Sequence, residues 1–323
     1  MSTSDKITVA LAQLAPVWLD RAATLNKVLD WIEQAADAGA QLVAFPEAVL
    51  PGYPFWLEHT DAARFESELQ ANIHAHYVDQ AVSIDEGMLA PVCAEAARRR
   101  IWVMLGCIER TRSRGMSLYC TLVTIDEHGA IRNCHRKLMP TYEERLSWSP
   151  GDGHGLQTFA IGAFRLGGLN CWENWMPLAR AALYGQGEDL HVAVWPGSLR
   201  NTESITPFIA REGRSYALSV SSVLDRSQLP AELPWDAAVT ACLPEVMANG
   251  GSSIAHPDGS WLVEPVVGRE QLIVAELEHR RVRMARQTFD PFGHYSRPDV
   301  LTLQVNRSRP SGLHLVGSDP TLD

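Results

Sequence analysis

Short apolar segments alternate with longer amphipathic segments along most of the chain. The apolar segments have the length of strands and are rich in β-branched residues, and several are apolar enough to be buried on both faces. In the segments between them, apolar residues recur every three or four positions, which predicts helices with one buried face. Predicted strands cover residues 7–14, 41–45, 101–108, 117–125, 164–170, 190–195 and 216–223, and predicted helices cover 21–38, 90–100, 176–184 and 205–216. This alternation predicts an α/β fold.

The C-terminal third has a different pattern. Residues 250–255 are followed by a His-Pro-Asp-Gly turn and then by strand-like segments at 261–267 and 271–277. Apolar segments joined by such a tight turn favour antiparallel pairing. Residues 228–244 contain several prolines and little periodicity, which predicts a long loop.

The chain shows no internal repeat and no Ser/Gly/Pro-rich linker. We therefore expect one domain over residues 1–300. Periodicity is lost after Asp290, and we expect residues 301–323 to form a tail that lies across a neighbouring subunit or is disordered.

Charge and composition narrow the possible partners and the location. The 38 acidic and 28 basic residues give a net charge of −10, which opposes binding to nucleic acid or to an anionic membrane. No apolar stretch approaches the roughly 20 residues that span a bilayer, and the N-terminus lacks the apolar region of a signal peptide. The six cysteines include no CxxC pair, so neither a zinc site nor a dense disulfide framework is indicated. We expect a cytoplasmic protein.

Three segments combine the end of a predicted strand with an ionisable residue, namely 42–47, 134–140 and 167–175. Ligands bind at the carboxyl ends of strands in α/β sheets, so Glu47, Lys137 and Cys171 are candidates for one site. Cysteine becomes a strong nucleophile when a base takes its proton, and a carboxylate beside an ammonium can serve as that base. The ammonium and the backbone N–H after Cys171 can also stabilise negative charge on a substrate, and the dipole of the following predicted helix favours a thiolate.

Each of the three residues also has a structural alternative. Cys171 alone could be a buried apolar side chain, Glu47 could cap a helix, and Lys137 could be solvated surface. The other five cysteines lack a comparable setting, and we assign them to packing.

Together the three segments resemble the nitrilase superfamily of carbon–nitrogen hydrolases, which carries a Glu-Lys-Cys triad on three motifs in this order. They read FPEAVLPGYP, HRKLMPTYEERLSW and LNCWENWMPLAR, and the resemblance extends from Ile7 to about Leu301. The CWEN and RKLMPTY sequences resemble the nitrilase branch more than the amidase, carbamoylase or glutaminase branches.

The resemblance implies a four-layer αββα sandwich and a role for each triad residue. Cys171 would be the nucleophile, Glu47 the general base and acid, and Lys137 the group that stabilises charge on the substrate. A further glutamate would orient the lysine, and we choose Glu144 over the adjacent Glu143 because Glu144 immediately precedes an Arg-Leu pair. The reaction would convert an organic nitrile to a carboxylic acid and ammonia through a thioimidate and a thioester, without a metal or an organic cofactor.

Aromatic residues near the motifs predict an apolar pocket for a small molecule. The substrate-binding candidates are Tyr53, Tyr142, Trp172 and Trp195. The resemblance further implies a homodimer or a larger homo-oligomer, which in some members is a helical filament. The alternatives are an aliphatic amidase or carbamoylase or a cyanide dihydratase with the same triad, and more remotely a catalytically silent filament-forming or binding protein.

Overall fold

The computed structural model describes residues 5–310, and these residues form strands, α-helices and short 3₁₀ helices. The strands are β1 (Lys6–Gln13), β2 (Leu42–Ala44), β3 (Val82–Ser83), β4 (Trp102–Arg110), β5 (Leu118–Ile125), β6 (Ile131–Arg136), β7 (Phe159–Ile161), β8 (Phe164–Asn170), β9 (Leu190–Trp195), β10 (Tyr216–Ser221), β11 (Val223–Asp225), β12 (Val246–Ala255), β13 (Trp261–Val267) and β14 (Gln271–Glu278). The helices are α1 (Arg21–Asp37), α2 (Glu68–Gln80), α3 (Ala90–Arg99), α4 (Pro177–Tyr184), α5 (Leu199–Thr202), α6 (Ile205–Gly213), α7 (Ala237–Cys242) and α8 (His279–Arg286).

The strands form two mixed sheets. The first has the order β14-β1-β2-β4-β5-β6, with β3 paired to β4, and the second has the order β11-β12-β10-β9-β8-β7, with β13 paired to β12. In the first sheet β1, β2 and β4 are parallel, and β5 is antiparallel to both β4 and β6. The strands β2 and β6 therefore run in the same direction, and their carboxyl ends lie at the same edge of the sheet.

The alternation of side chains along β1 shows how the layers pack. Val9 and Leu11 belong to the core between the two sheets, whereas Ala10 and Ala12 pack with Val28 of α1 on the opposite face of the first sheet. On the far side of the second sheet, α4 and α6 cover apolar residues of β8, β9 and β10. The order of layers is therefore helix, sheet, sheet, helix, and the predicted αββα sandwich is confirmed.

Most predicted elements are present, with small shifts in their ends. The helix predicted over 205–216 ends at Gly213, because Arg214 adopts the left-handed conformation, and β10 begins at Tyr216. Helix α2 was missed because its polar sequence buries only Ile73, Tyr77 and Val78.

Two predictions for the C-terminal third need correction. The His256–Gly259 turn does join the antiparallel strands β12 and β13, but β14 then crosses to the first sheet and pairs antiparallel with β1. The region predicted as a long loop contains α7, whose first turn is capped by the side chain of Asp236.

Residues 301–310 of the predicted tail are mostly exposed and touch the main body through hydrogen bonds. The Arg309 guanidinium donates to the carbonyl of Cys134 at 2.6 Å, and the Arg307 carbonyl lies 3.3 Å from Nδ1 of His154. Residues 311–323 lie outside the described part of the chain. Within the described part, no helix is long and apolar enough to cross a membrane.

Candidate active site

The three predicted site residues lie at strand ends of both sheets. Glu47 follows β2, Lys137 follows β6 directly in the same sheet, and Cys171 follows β8 in the second sheet. The backbone N–H of Glu47 donates to the carbonyl of Trp195, the last residue of β9, at 3.3 Å. This contact joins the Glu47 loop to the sheet that carries Cys171.

Each of the three loops contains a residue with positive φ that is not glycine. Ala48 has φ 52°, Tyr142 has φ 38° and Cys171 has φ 49°. Such conformations are uncommon and often occur at functional sites, where the surrounding structure holds the strain. At Cys171 the chain turns from β8 directly into a 3₁₀ helix, Cys171–Trp175.

This turn corrects one expectation. Cys171 does not directly precede an α-helix, because α4 starts at Pro177, after the separate 3₁₀ turn. The local backbone group at Cys171 is instead the N–H of Trp172, which lowers the pKa of the thiol and so favours the thiolate.

The Lys137 ammonium lies between two carboxylates. Its Nζ donates to Oε1 of Glu47 at 2.9 Å and to Oε2 of Glu144 at 2.7 Å, and all three side chains are almost completely buried. Nζ also lies 5.5 Å from the centre of the Trp148 ring. The positive charge is therefore fixed in position by two charge-assisted hydrogen bonds.

Glu144 is itself held on both oxygens. Its Oε1 accepts from the Tyr53 hydroxyl at 2.9 Å, and its Oε2 accepts from the backbone N–H of Thr141 at 2.6 Å in a capping box. Glu143 is only partly buried and lies 3.3 Å from the Tyr53 hydroxyl. Of the two adjacent glutamates, Glu144 is the one that contacts Lys137.

The protonation of the cluster follows from burial and from the neighbouring charges. Burial is the main cause that raises the pKa of Glu47 to about 7, with Lys137 opposing and Glu144 adding to the rise. Burial, together with Glu47, also raises the pKa of the Cys171 thiol well above its ordinary value, and Lys137 only partly offsets this. For Lys137 burial lowers the pKa, but the negative charges of Cys171 as thiolate, Glu47 and Glu144 outweigh it and raise the pKa well above its usual range. At neutral pH the resting site thus holds an ammonium and a protonated thiol, with a carboxylate near its titration point.

The buried carboxylate of Glu173 links the lysine and cysteine loops. The carboxylate of Glu173 accepts from the backbone N–H groups of Asn170 and Leu138, each at 2.9 Å, and lies 2.9 Å from Nε2 of His135. Burial alone would raise the pKa of Glu173, but His135 and the two backbone donors hold it below its ordinary value. Glu173 is not among the residues predicted from the sequence; its signal is its position three residues after Asn170, the spacing of a capping box.

Two glycines allow the loops to approach neighbouring backbone closely. A Cβ at Gly106 of β4 would lie 2.1 Å from the carbonyl oxygen of Pro46 and 2.8 Å from Cα of Glu47. A Cβ at Gly151 would lie 2.6 Å from the carbonyl oxygen of Lys137. Both contacts are too short for any side chain, so these positions require glycine if the loops are to stay where they are.

A cavity of about 510 Å³ opens beside the cluster. Cys171, Glu144, Tyr53 and Trp172 line it. The remaining lining residues are Pro54, Phe55, Glu58, His59, Thr141, Glu143, Pro196, Gly197, Ser198, Arg200, Asn201, Pro244 and Met247. The expected apolar pocket is thus a mixed one, with charged and amide side chains beside the aromatic rings.

Two predicted substrate-binding residues do not line this cavity. Tyr142 is 81% exposed, whereas its neighbours Thr141 and Glu143 face the cavity. Trp195 is completely buried: its indole N–H donates to the hydroxyl of Ser219 at 3.1 Å, and its ring packs with Cys171 in a core cluster.

Glu47, Glu144 and Cys171 offer ligand atoms that lie within 4.8 Å of one another, which is the spacing of a metal site. Lys137 already donates to both carboxylates and supplies the positive charge that a cation would bring. This chemistry favours proton transfer over metal binding.

Comparison with known proteins identifies the family. The carbon-nitrogen hydrolase profile matches residues 8–287. A nitrilase from Pseudomonas syringae pv. syringae is 37% identical over 94% of this chain and 90% of that protein. The chain belongs to the nitrilase branch of the carbon-nitrogen hydrolases. An aliphatic nitrilase from Rhodococcus rhodochrous is 33% identical over 98% of this chain and 83% of that protein.

The structure agrees with this assignment at the level of the fold. A carbon-nitrogen hydrolase from Helicobacter pylori G27 superposes with a TM-score of 0.69 at 19% identity, covering 91% of this chain and 96% of that one. This superposition confirms the sandwich fold implied by the three motifs, and the 33–37% identical relatives confirm the nitrilase branch.

Proposed function

We propose that this protein is a nitrilase that hydrolyses a small organic nitrile to a carboxylic acid and ammonia, with Cys171 as nucleophile. The observation that carries the proposal is the buried cluster of Glu47, Lys137, Glu144 and Cys171, of which Cys171 and Glu144 line the cavity. It contains a nucleophile, a base and a fixed positive charge within a few ångströms, which is what covalent catalysis on a polar carbon requires. Its residues lie on the three motifs that resemble the nitrilase signature, and the 33–37% identical relatives carry nitrilase names.

In the first half of the proposed reaction, Glu47 takes the proton of the Cys171 thiol as the sulfur attacks the nitrile carbon. Glu47 then gives this proton to the nitrile nitrogen, and a covalent thioimidate forms. Lys137 and the backbone N–H of Trp172 both lower the pKa of the Cys171 thiol, and they stabilise the negative charge that develops during attack. Because the Cys171 thiol is protonated at rest, attack depends on Glu47 being ionised.

In the second half, a water adds to the thioimidate to give a tetrahedral species. Breaking the C–N bond releases ammonia and leaves a thioester, and a second water hydrolyses the thioester to the acid. Glu47 takes protons from each water and returns them to the leaving nitrogen and, when the thioester is hydrolysed, to the sulfur of Cys171. The net reaction consumes one nitrile and two waters, and no step requires a metal or an organic cofactor. Breaking the C–S bond at the tetrahedral stage would instead release an amide.

The test is ammonia release from aliphatic, aromatic and arylacetonitriles, from their amides and from cyanide. Because charged groups line the cavity, the panel includes nitriles with polar substituents. Wild type is compared with Cys171→Ala, with Glu47→Gln and with Cys107→Ala, a buried cysteine that packs against the helices of the first sheet.

We expect turnover of at least one organic nitrile by wild type and Cys107→Ala and none by Cys171→Ala, with Glu47→Gln strongly impaired. Release from amides alone would mean that the substrate class is wrong and the nucleophile right. Equal activity of wild type and Cys171→Ala would refute the mechanism.

We also propose that the protein assembles as a homodimer or larger oligomer in the cytoplasm. Supporting this, an exposed apolar patch lies beside the site, where the Trp175 ring stacks on Phe208 at 6.3 Å and Leu178 is 68% exposed. The six cysteines are all unpaired thiols, as in a reducing compartment. Light scattering with wild type and Leu178→Lys tests whether this patch is a subunit interface. Wild type should be at least a dimer and the variant smaller, and helical filaments would appear as far larger particles. A monomeric wild type would refute the proposed assembly.

A further inference from the structure

Cys120 lies inside the catalytic cluster, although the sequence analysis assigned it to packing. Its Sγ is 3.4 Å from Oε1 of Glu47 and 3.9 Å from Oδ1 of Asn170, the residue before Cys171. Its backbone carbonyl accepts from the N–H of Lys137 at 2.8 Å. Cys120, on β5, therefore contacts the glutamate, lysine and cysteine loops together.

The thiol of Cys120 acts as a donor in this position. Burial and the neighbouring Glu47 raise its pKa well above the ordinary value, so it stays protonated. A thiol is a weak donor, but Oε1 of Glu47 is a charged acceptor, which strengthens the bond.

The two carboxylate oxygens of Glu47 differ in their hydrogen bonding. Oε1 accepts from both Lys137 and Cys120. Oε2 is buried and has no hydrogen-bond partner among the residues that the structure describes. A buried acceptor without a partner is costly and calls for an explanation in the chemistry of the site. Oε2 is the oxygen with a lone pair free to receive a proton.

We propose that Cys120 is a positioning residue that holds Oε1 of Glu47 and so keeps Oε2 available as the proton acceptor for the Cys171 thiol. The inference rests on the proposed function. The proton moves from Sγ of Cys171 to Oε2 of Glu47, the new S–C bond forms at the substrate, and Cys120 keeps its own proton throughout.

The other titratable groups that interact with Glu47 are Lys137, Glu144, Cys171, Tyr53 and Tyr77. Of these, Lys137 lowers the pKa of Glu47 and Glu144 raises it. Cys120 is neutral, so removing its thiol leaves the charge of the cluster unchanged. The hydrogen bond from Cys120 lowers the pKa of Glu47, and its loss should raise that pKa.

The experiment compares Cys120→Ala, which has no donor, with Cys120→Ser, which keeps one. Cys107→Ala is the matched control, because it removes a completely buried thiol from the neighbouring strand β4. The pH profiles of kcat and KM for nitrile hydrolysis are measured for each variant. We expect Cys120→Ala to lower kcat by roughly three- to tenfold, with KM within about twofold and the acid limb of the profile moved to higher pH. Cys120→Ser should restore most of kcat and the wild-type limb, and Cys107→Ala should leave both unchanged.

A second readout does not need turnover. The rate at which iodoacetamide alkylates Cys171, followed by mass spectrometry as a function of pH, reports the same base, and its acid limb should move upward in Cys120→Ala. If this shift is observed but the protein hydrolyses no nitrile, the proposed function is refuted and this inference stands. Identical alkylation profiles in Cys120→Ala and Cys107→Ala, or a Cys120→Ser variant as impaired as Cys120→Ala, would overturn it.

Discussion

Replacing Gly106 by alanine should reduce catalysis while leaving the sandwich folded. The new Cβ would lie 2.1 Å from the carbonyl oxygen of Pro46 and 2.8 Å from both Cα of Glu47 and the backbone nitrogen of Ala48. Ordinary van der Waals contact to a Cβ begins at 3.4 Å, so the loop must retreat by more than about 1 Å.

A retreat of that size lengthens the hydrogen bond between Glu47 and Lys137 from 2.9 Å to beyond bonding distance. A misplacement of about 1 Å at a catalytic group costs roughly 100-fold in rate. Overpacking of this kind costs about 1–3 kcal/mol in stability, which a domain of this size can lose and remain folded.

The assay is kcat/KM for ammonia release from the preferred nitrile, together with the melting temperature and near-UV circular dichroism. Gly185→Ala is the control, because its Cβ would meet only the edge of the Phe292 ring at 3.1 Å and the backbone carbonyl of Ala181 at 3.3 Å. We expect Gly106→Ala to lose about 100-fold in kcat/KM and Gly185→Ala to lose little. A folded Gly106→Ala variant with wild-type kcat/KM would refute the claim that β4 positions the glutamate.

Four further predictions concern charged and hydrogen-bonding groups. Because the pKa of Glu47 is raised to about 7, kcat/KM should fall roughly tenfold per pH unit below neutrality, and a profile that is flat down to about pH 5 would contradict its role as base. The same raised pKa means that the Glu47 carboxyl contributes its full stabilisation below its ordinary pKa of 4.5 and loses it as pH rises through about 7. Urea titrations at several pH values should therefore show a loss of stability in wild type, and Glu47→Gln should lack the part of this loss that Glu47 contributes. Tyr53→Phe leaves Oε1 of Glu144 without its donor and should lower kcat about tenfold, which kinetics at saturating nitrile would measure; an unchanged kcat would show that the hydroxyl does not matter. Arg136→Met leaves the buried carboxylate of Glu109 unpaired and should cost about 3–5 kcal/mol in urea unfolding, against which an unchanged midpoint would count.

Most helices and strands were predictable from the spacing of apolar residues in the local sequence. The strand at 101–108 is apolar on both faces, because β4 lies in the middle of its sheet between β2 and β5. The pairing of β14 with β1 is not encoded in any local pattern, since the two strands are more than 250 residues apart and the His-Pro-Asp-Gly turn favoured antiparallel pairing among neighbouring segments. Whether a segment forms a helix or a strand was thus predictable from the local sequence. Which sheet a strand joins depends on contacts with strands that are distant in the sequence.

The same distinction applies to the residues of the candidate site. Glu47, Lys137 and Cys171 were proposed because strand ends bear ionisable residues there, and the structure brings all three together. Tyr142 was proposed from its place beside the motif, but its backbone turn points it outward. Cys120 was missed because its contact with Glu47 spans 73 residues and arises only when β5 passes the Glu47 loop.

Because the cluster is divided between two sheets, recovery of activity during refolding requires both sheets. Glu47 and Lys137 belong to one sheet and Cys171 to the other, so neither half of the molecule contains a working centre. Regain of activity after denaturation therefore reports the docking of the two sheets, and it should lag behind the recovery of far-UV circular dichroism if docking follows formation of the strands. A fragment that contains only one sheet would be inert however well it folds.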